Sequence, residues 1–314
     1  MRVATNSYAD SMLAQFNVLK AQQNKLQNEA STGLSIQSPS DNPVAMQDTL
    51  NHLSSQAAQQ QFSSNINAVQ SRADSIYSVL QALQTISSRV GEITTAAGNV
   101  TNSRTDLNNY AGEVTSLIQQ AAQLLNTKDP ATGQYLFGGT NSSQPPYTVA
   151  TDANGKVTGV AYQGNSTVNQ TEIAVGITVA VDVPGENTTG LGAYGIVTDS
   201  RTGADLFNHL IALQNHLATG NTSAITSTDS PNLQNDQNNL TYQVANNGNI
   251  QARLNTASTL ATSQSNSLDG LITNASGADL AQVLTQLTQT QTAYQAALQS
   301  GASIMQLSLL NYLK

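Results

Sequence analysis

Few residue combinations in this chain could support chemistry, and the clearest is the glycine-rich stretch Gly190-Leu191-Gly192-Ala193-Tyr194-Gly195. Its spacing matches the G-x-G-x-x-G pattern that binds the pyrophosphate of a dinucleotide in many proteins. That chemistry requires a preceding strand, a following helix and an acidic residue about 20 positions later. The next residues, IVTDSRTG, interrupt any helix, and residues 210–216 contain no carboxylate. The pattern therefore predicts a flexible loop rather than a nucleotide site.

Histidines are the next candidates, because an imidazole can bind a metal ion. The chain has three, at His52, His209 and His216. The last two are seven residues apart in a predicted helix, which places them on one face but roughly 10 Å apart along the axis. One metal ion cannot bridge that distance without a ligand from a third element. We therefore interpret His209 and His216 as exposed side chains.

The remaining polar patterns are weaker. Asp152, Asn154 and Gly155 resemble part of a calcium-binding loop, but the ligand spacing and the distal glutamate are missing, so a turn is predicted. No Ser–His–Asp combination stands out, and the absence of cysteine excludes disulfides, thiolate metal sites and cysteine nucleophiles. We expect no catalytic activity, no cofactor and no metal. The arginines are scattered singly, as on solvated helix faces or in interface pairs: Arg72, Arg89, Arg104 and Arg253.

The composition favours a thin helical structure over a compact globular one. Only 10% of the residues are charged and 4% are aromatic, whereas about 25% are charged in an average globular protein. A narrow helical seam of Leu, Ile, Val and Ala needs few aromatic side chains. The net charge of −8, with 11 basic residues, argues against nucleic acid and membrane as partners. No segment is apolar enough to span a bilayer, and MRVATNSYAD lacks the apolar core of a secretory signal.

Helical periodicity dominates the first part of the chain. In residues 7–30 the seam recurs at spacings of four and three, with Gln23 at one position and apolar residues at Met12, Phe16, Leu19, Leu26 and Ala30. A long helix is predicted at about 43–98, with Asp41 or Asn42 as its N-cap. Another is predicted at about 106–126. From residue 66 the long helix has coiled-coil spacing, with seam positions at Ile66, Val69, Ala73, Ile76, Leu80, Leu83, Ser87, Val90, Thr94 and Ala97.

Between residues 147 and 183 the period changes to two, which is typical of β-strands, and Asp152–Gly155 lies where a hairpin turn belongs. Residues 185–203 are interpreted as loop. Helices are predicted again at about 203–218, 230–272 and 278–312. The seam assigned to the last of them consists of Leu280, Leu284, Leu287, Tyr294, Leu298, Met305 and Tyr312.

The order of these elements predicts a mainly α fold with a β insertion. The expected architecture is a long antiparallel helical hairpin or coiled-coil rod, with a small β domain at the far end and both termini pairing at the other. Five segments are expected: a terminal coiled-coil segment (1–40), the first half of the rod (41–134), the inserted β domain (135–202), the second half of the rod (203–275) and a C-terminal coiled-coil segment (276–314).

The C-terminal stretch SIMQLSLLNYLK is apolar around the whole circumference of its predicted helix. A helix that is apolar on all sides must be buried on all sides. The N-terminal helix offers one narrow stripe, so neighbouring copies or other proteins must complete the burial. The expected assembly contacts are Met12, Phe16, Leu19, Leu26, Leu298, Ile304, Met305, Leu307, Leu309, Leu310 and Leu313.

Four stretches of the sequence resemble a known family, the hook-associated proteins at the hook–filament junction of the bacterial flagellum, which are relatives of flagellin. They are the N-terminal MRVATNSY with ASTGLSIQSPSDNP, the central QYLFGGT, VAYQGNS with TVAVDVPG, and the C-terminal AYQAALQSGASIMQLSLLNYLK. Three positions depart mildly from the family pattern: Thr32 replaces a serine, Ser35 a basic residue and Asn42 an aspartate.

The resemblance implies a structural adaptor that assembles as a homo-oligomeric ring and links hook to filament. It implies another hook-associated protein on the hook side, and a hook-associated protein or flagellin on the filament side. It further implies export through the flagellar type III channel to the cell exterior, after a cytoplasmic export chaperone has covered the C-terminal helix. A flagellin-type filament subunit and a monomeric secreted helical binding protein are the alternatives.

Overall fold

A computed structural model of the chain describes the backbone of residues 2–99 and 101–312 and the side chains of residues 10–99 and 101–303. The chain forms two compact units. The terminal unit comprises residues 1–59 and 263–314, and the central unit comprises residues 60–262. The division falls inside two long helices, so each unit contains part of both.

Seven α-helices and seven strands make up the described part of the chain. The helices are α1 (Arg2–Thr32), α2 (Pro43–Ala97), α3 (Arg104–Leu125), α4 (Leu206–Thr219), the short α5 (Thr222–Ala224), α6 (Ser230–Ser276) and α7 (Leu280–Tyr312), with a π-helical turn at Ile225–Asp229. The strands are β1 (Tyr147–Thr151), β2 (Val157–Tyr162), β3 (Thr171–Ala174), β4 (Ile177–Val179), β5 (Glu186–Asn187), β6 (Thr198–Asp199) and β7 (Ala204–Asp205). The predicted fold class, mainly α with a β insertion, is confirmed.

Capping groups explain where the helices of the first half begin. The Asn42 side chain accepts a hydrogen bond from the backbone N–H of Ala45 at 3.2 Å, so Asn42 rather than Asp41 is the cap of α2. Ser103 and Asp106 form a reciprocal capping box at the start of α3, which satisfies backbone donors that the helix itself leaves free.

The core of the central unit follows the predicted seam of α2. Nine of the ten seam positions from Ile66 to Ala97 are buried, and Ser87 is half-buried. Helices α3 and α4 pack against each other, and α4 contributes Leu206, Phe207, Leu210, Leu213 and Leu217 to the same core. The heptad spacing thus identified a real buried stripe, because the residues of such a stripe lie on one side of a helix.

The β region consists of three small sheets. Strands β1 and β2 form one antiparallel pair, and β3 and β4 form another. In the third sheet the central strand β6 is parallel to β5 and antiparallel to β7. The predicted turn is present: the Asp152 carboxylate accepts hydrogen bonds from the backbone of Asn154 and Lys156, both at 2.9 Å. Residues 185–203 were expected to be loop throughout; this is wrong at β5 and β6, because two-residue strands carry no readable alternation.

The G-x-G-x-x-G stretch is a turn between β5 and β6, with no helix opening on it, as predicted. Gly190 and Gly192 have φ angles of +72° and +75°, which side chains rarely adopt. Gly195 lies so close to the backbone of Thr198 that a Cβ atom would be 2.1 Å from its carbonyl oxygen. The side-chain amide of Asn187 donates to the carbonyls of Leu191 and Ala193, both at 2.6 Å. The glycines are therefore required by the backbone conformation of this turn: two of them adopt positive φ angles, and the third allows a close approach of two backbone segments.

The two α4 histidines are not exposed as expected. His209 Nδ1 lies 2.9 Å from Asp236 and His216 Nδ1 lies 2.8 Å from Asp229, and the imidazole side chains are 17% and 29% exposed. Asp229 and Asp236 are seven residues apart, as the histidines are. The prediction failed because it treated α4 alone, whereas the facing segment carries carboxylates at the matching interval.

A row of buried polar side chains on α6 binds the backbone of the segment after β5. The Asn239 amide donates to the carbonyls of Gly195 and Ile196, both at 3.0 Å, and the Gln243 amide donates to Gly195 at 3.2 Å. Farther along, Asn247 donates to the Ala73 carbonyl of α2 at 3.2 Å. Buried polar atoms require such partners, so α6 positions irregular backbone with side-chain amides.

Replacing Tyr147 with phenylalanine should increase the stability of the protein by about 1 kcal/mol. Tyr147 is 2% exposed, and within the described residues its hydroxyl has no hydrogen-bond partner. The matched control is Tyr162→Phe, because the Tyr162 hydroxyl donates to the Phe137 carbonyl at 2.9 Å and accepts from Gly185 at 3.1 Å. Urea unfolding should show opposite signs for the two variants. Equal destabilisation would show that the Tyr147 hydroxyl is bonded.

Candidate assembly surface

Helices α1 and α7 pack against each other in the terminal unit. The predicted α1 seam is its less exposed face: Leu26 is buried, and Met12, Phe16 and Leu19 are half-buried. The ring of Phe16 meets the ring of Tyr294 edge to face, with centroids 6.0 Å apart. Edge-to-face contact is the favoured geometry for such rings.

Gly301 fixes how closely the two helices approach near the chain ends. A Cβ atom on Gly301 would lie 2.6 Å from the Met12 methyl carbon and 3.4 Å from the Phe16 ring. Because Gly301 has no side chain, the side chains of Met12 and Phe16 can pack directly against the α7 backbone at this position.

The seam predicted for α7 is wrong at Leu280, Leu284 and Leu298, which are 46–54% exposed. The less exposed face of α7 is offset by part of a turn and consists of Val283, Leu287, Thr290, Tyr294, Ala297 and Gly301. The fit of large α1 side chains beside small α7 residues sets this register. The leucine spacing alone could not reveal it.

The two connections of the terminal unit, α1–α2 and α6–α7, are hydrogen-bonded to each other. Leu34 and Gly277 form an isolated β-bridge. The backbone N–H of Ser35 donates to Ser276 at 2.8 Å, and that of Ala278 donates to Gly33 at 2.9 Å. The C-terminal end of α1 and the N-terminal end of α7 are thus joined through backbone hydrogen bonds, in addition to the packing of the two helices against each other.

The motif SPSDNP folds into a closed turn around Asp41. The backbone N–H groups of Gln37 and Ser38 donate to its carboxylate at 3.2 and 3.0 Å, and Lys25 lies 3.3 Å away. The N–H donors of Gln37 and Ser38, followed by the Ser38 hydroxyl and Lys25, lower the pKa of Asp41 to about 2. The motif therefore stays charged and bonded across the physiological range.

The terminal unit has very little apolar core of its own. Among its residues with described side chains, only Leu26 and Val283 are buried large apolar residues. Ten others are exposed: Leu13, Val18, Leu34, Val44, Leu50, Leu53, Leu271, Leu280, Leu284 and Leu298. We call these ten residues the exposed apolar set. With so few large apolar residues buried, the unit gains little hydrophobic stabilisation from its own chain.

The expected assembly contacts divide into three groups. Met12, Phe16, Leu19 and Leu26 line the α1 face that packs on α7, while Leu298 is exposed. The side chains of Ile304, Met305, Leu307, Leu309, Leu310 and Leu313 lie outside the described residues. Further exposed apolar residues lie off the predicted seams, among them Leu13, Val18 and the α2 residues Val44, Leu50 and Leu53.

Within the described ranges, no helix has the length and hydropathy needed to cross a membrane. Over the same residues, no group of three or more histidine or acidic side chains is arranged to hold a metal ion.

Comparisons with known proteins agree with the sequence motifs. Residues 3–142 match the bacterial flagellin N-terminal helical region. Over 151 residues, which are 48% of this chain and 47% of the relative, the sequence is 26% identical to flagellar hook-associated protein 3 of Salmonella typhimurium. The matched part is thus about half the length of that relative.

Solved structures share the fold. FlgL of Xanthomonas campestris superposes with a TM-score of 0.57 at 18% identity, covering 69% of this chain and 98% of that one. FlgL of Bacillus cereus gives a TM-score of 0.52 at 19% identity, covering 72% and 99%. Residues 3–142 of this chain thus resemble the flagellin N-terminal helical region, and the chain resembles flagellar hook-associated protein 3, as its motifs predicted.

Proposed function

We propose that the chain is a structural adaptor of the bacterial flagellum at the hook–filament junction, where its terminal unit joins copies of itself into a ring. The observation that supports this proposal is that, among the described side chains of that unit, two large apolar residues are buried whereas ten are exposed. Burying one leucine side chain contributes roughly 1.5–3 kcal/mol. Neighbouring subunits that covered the exposed apolar set would supply the core that the unit lacks.

The proposed neighbours follow from the same location. Another hook-associated protein contacts the ring on the hook side, and a hook-associated protein or flagellin contacts it on the filament side. The chain reaches the exterior through the flagellar type III channel, and an export chaperone covers α7 in the cytoplasm. The resemblance to hook-associated protein 3 supports these partners, and the exposed apolar set supplies a surface for them.

The double variant Leu284→Asp, Leu298→Asp should abolish assembly and leave the monomer folded. Both side chains are exposed in the single chain, so monomer stability should change by about 0.5 kcal/mol or less. In the assembled ring each introduced carboxylate would be buried without a partner, at a cost of several kcal/mol per subunit. In a strain lacking the native copy, the variant should be exported, and flagellin should appear unpolymerised in the medium.

The matched control is Gln282→Asp, Gln289→Asp, which adds the same charge to the same helix at exposed polar positions. Control cells should build filaments. Normal filaments on cells that export the leucine variant would overturn the proposed surface. Incorporation of the native chain along the whole filament would indicate a filament subunit. A chain that leaves filament growth unchanged when deleted would indicate a separate secreted binding protein.

A further inference from the structure

Three carboxylates and one imidazole form a connected set where β5, β6 and β7 meet α4 and α6. At its centre, Asp236 of α6 accepts a hydrogen bond from the backbone N–H of Asp205 at 2.8 Å. The other oxygen of the Asp236 carboxylate lies 2.9 Å from Nδ1 of His209 on α4. Asp236 is 2% exposed, so its charge is poorly screened by water.

Glu186 belongs to the same set through the small sheet. It pairs with Thr198 across β5 and β6, and Thr198 pairs with Asp205 across β6 and β7. The Thr198 hydroxyl donates to the Asp205 carboxylate at 3.3 Å, and the Asn208 amide donates to its other oxygen at 2.8 Å. Glu186 is half-buried and lies close enough to Asp205 for their charges to repel.

Other charged groups border this set. The His216–Asp229 pair lies two turns farther along α4, and Asp229 adds negative potential at His209. On β6, Asp199 is neutralised by Arg201, whose Nη2 lies 2.6 Å from it. On the β1–β2 side, Tyr147 and Tyr162 lie near Glu186. His209 contacts the Asp236 carboxylate directly, and Asp205 lies close enough to add to the negative potential at the imidazole.

We propose that Glu186, Asp205, His209 and Asp236 act as a proton-dependent latch, which holds residues 186–205 on α4 and α6 and loosens as pH rises through neutrality. Full deprotonation would leave three carboxylates at one partly buried site without a cation. A bound proton on Glu186, or on the His209–Asp236 pair, relieves that repulsion.

The direction of the effect is the same for each contributing group. Burial, followed by repulsion from Asp205, raises the pKa of Glu186 from 4.5 to about 7. Burial opposes the imidazolium of His209, but the hydrogen bond and charge of Asp236 outweigh it and raise the pKa of His209. Burial likewise raises the pKa of Asp236. Raised pKa values give stability that is complete below the unfolded-state pKa and lost as pH rises through the folded-state pKa.

Hydrogen exchange of the full chain between pH 5 and pH 8, corrected for intrinsic exchange rates, tests the latch. The opening equilibrium constant of residues 186–205 should rise by about tenfold, which already allows for screening of the half-exposed Glu186. The α2–α3 core is the internal reference. Glu186→Gln should reduce the pH dependence of the opening constant and leave only the part contributed by the His209–Asp236 pair, while Glu172→Gln, at an exposed glutamate on β3, should behave like wild type.

A pH-independent opening constant in the wild-type chain would overturn the latch, and so would a Glu186→Gln variant with the wild-type profile. If Glu186→Gln does not fold, the carboxyl carbon of Glu186 can be titrated by NMR in the wild-type protein. A midpoint near pH 7 supports the proposal, and a midpoint near 4.5, its ordinary value, overturns it.

Discussion

Arg72→Met should destabilise the folded monomer by about 3–5 kcal/mol, because it removes one partner of a buried ionic cluster. The Arg72 side chain is 14% exposed and bridges Asp129, at 2.9 Å, and Asp182. From its isolated position in the sequence, this arginine was expected on a solvated helix face or in an interface pair. Within the chain it instead ties α2 to the segments that enter and leave the first two sheets of the β region.

The two carboxylates explain the size of the effect. Burial disfavours the charged form of Asp129, but the backbone N–H of Ala131 and the Arg72 guanidinium outweigh it and lower the pKa of Asp129. The ionised Asp129 therefore stabilises the folded state at pH values above its ordinary pKa of 3.8. This contribution is lost as pH falls toward the lowered pKa. Without Arg72, both aspartates remain buried with no cation beside them.

Arg89 provides the matched control on the same helix. It bonds to Glu92 and Glu113 at 2.7 and 2.6 Å but is 48% exposed, so solvent screens these ion pairs and Arg89→Met should change stability far less than Arg72→Met. Guanidinium chloride unfolding separates the two cases. The triple variant Arg72→Met, Asp129→Asn, Asp182→Asn should recover part of the loss. Equal effects of Arg72→Met and Arg89→Met would contradict a buried cluster.

Gly195→Ala should cost about 3 kcal/mol, the upper end of ordinary overpacking effects. The added carbon would lie 2.1 Å from the Thr198 carbonyl oxygen and 2.6 Å from the Asn187 backbone nitrogen. Both atoms belong to backbone, so no flexible side chain can move aside. The same shift would disturb the Gly195 carbonyl that Asn239 and Gln243 bind.

Gly159→Ala in β2 is the control, since a Cβ atom there would meet no atom within 4 Å and strand residues tolerate alanine. Thermal unfolding should show little change for this variant and a clear loss for Gly195→Ala. Hydrogen exchange should locate the loss in residues 186–205. A Gly195→Ala protein with wild-type stability would show that the turn can relax without cost.

Local spacing determined much of this protein. The inner face of α1 at Met12, Phe16 and Leu19, the buried seam of α2 and the turn at Asp152 were all readable from the sequence. Each depends on residues close together in the chain, whose directions follow from helical or strand geometry. The family resemblance rested on motifs of the same local kind, among them SPSDNP and QYLFGGT.

Tertiary structure alone decided the pairings between distant segments. The register of α7 depends on how Gly301 admits Met12 and Phe16, and the burial of His209 depends on Asp236, 27 residues away. The buried amide of Asn239 has no role that local spacing predicts, because its partners are two carbonyls of the distant segment after β5. The sequence of one helix predicts which of its faces is apolar. Which other element packs against that face depends on the fit of side chains from both elements, and residues distant in the sequence contribute to that fit.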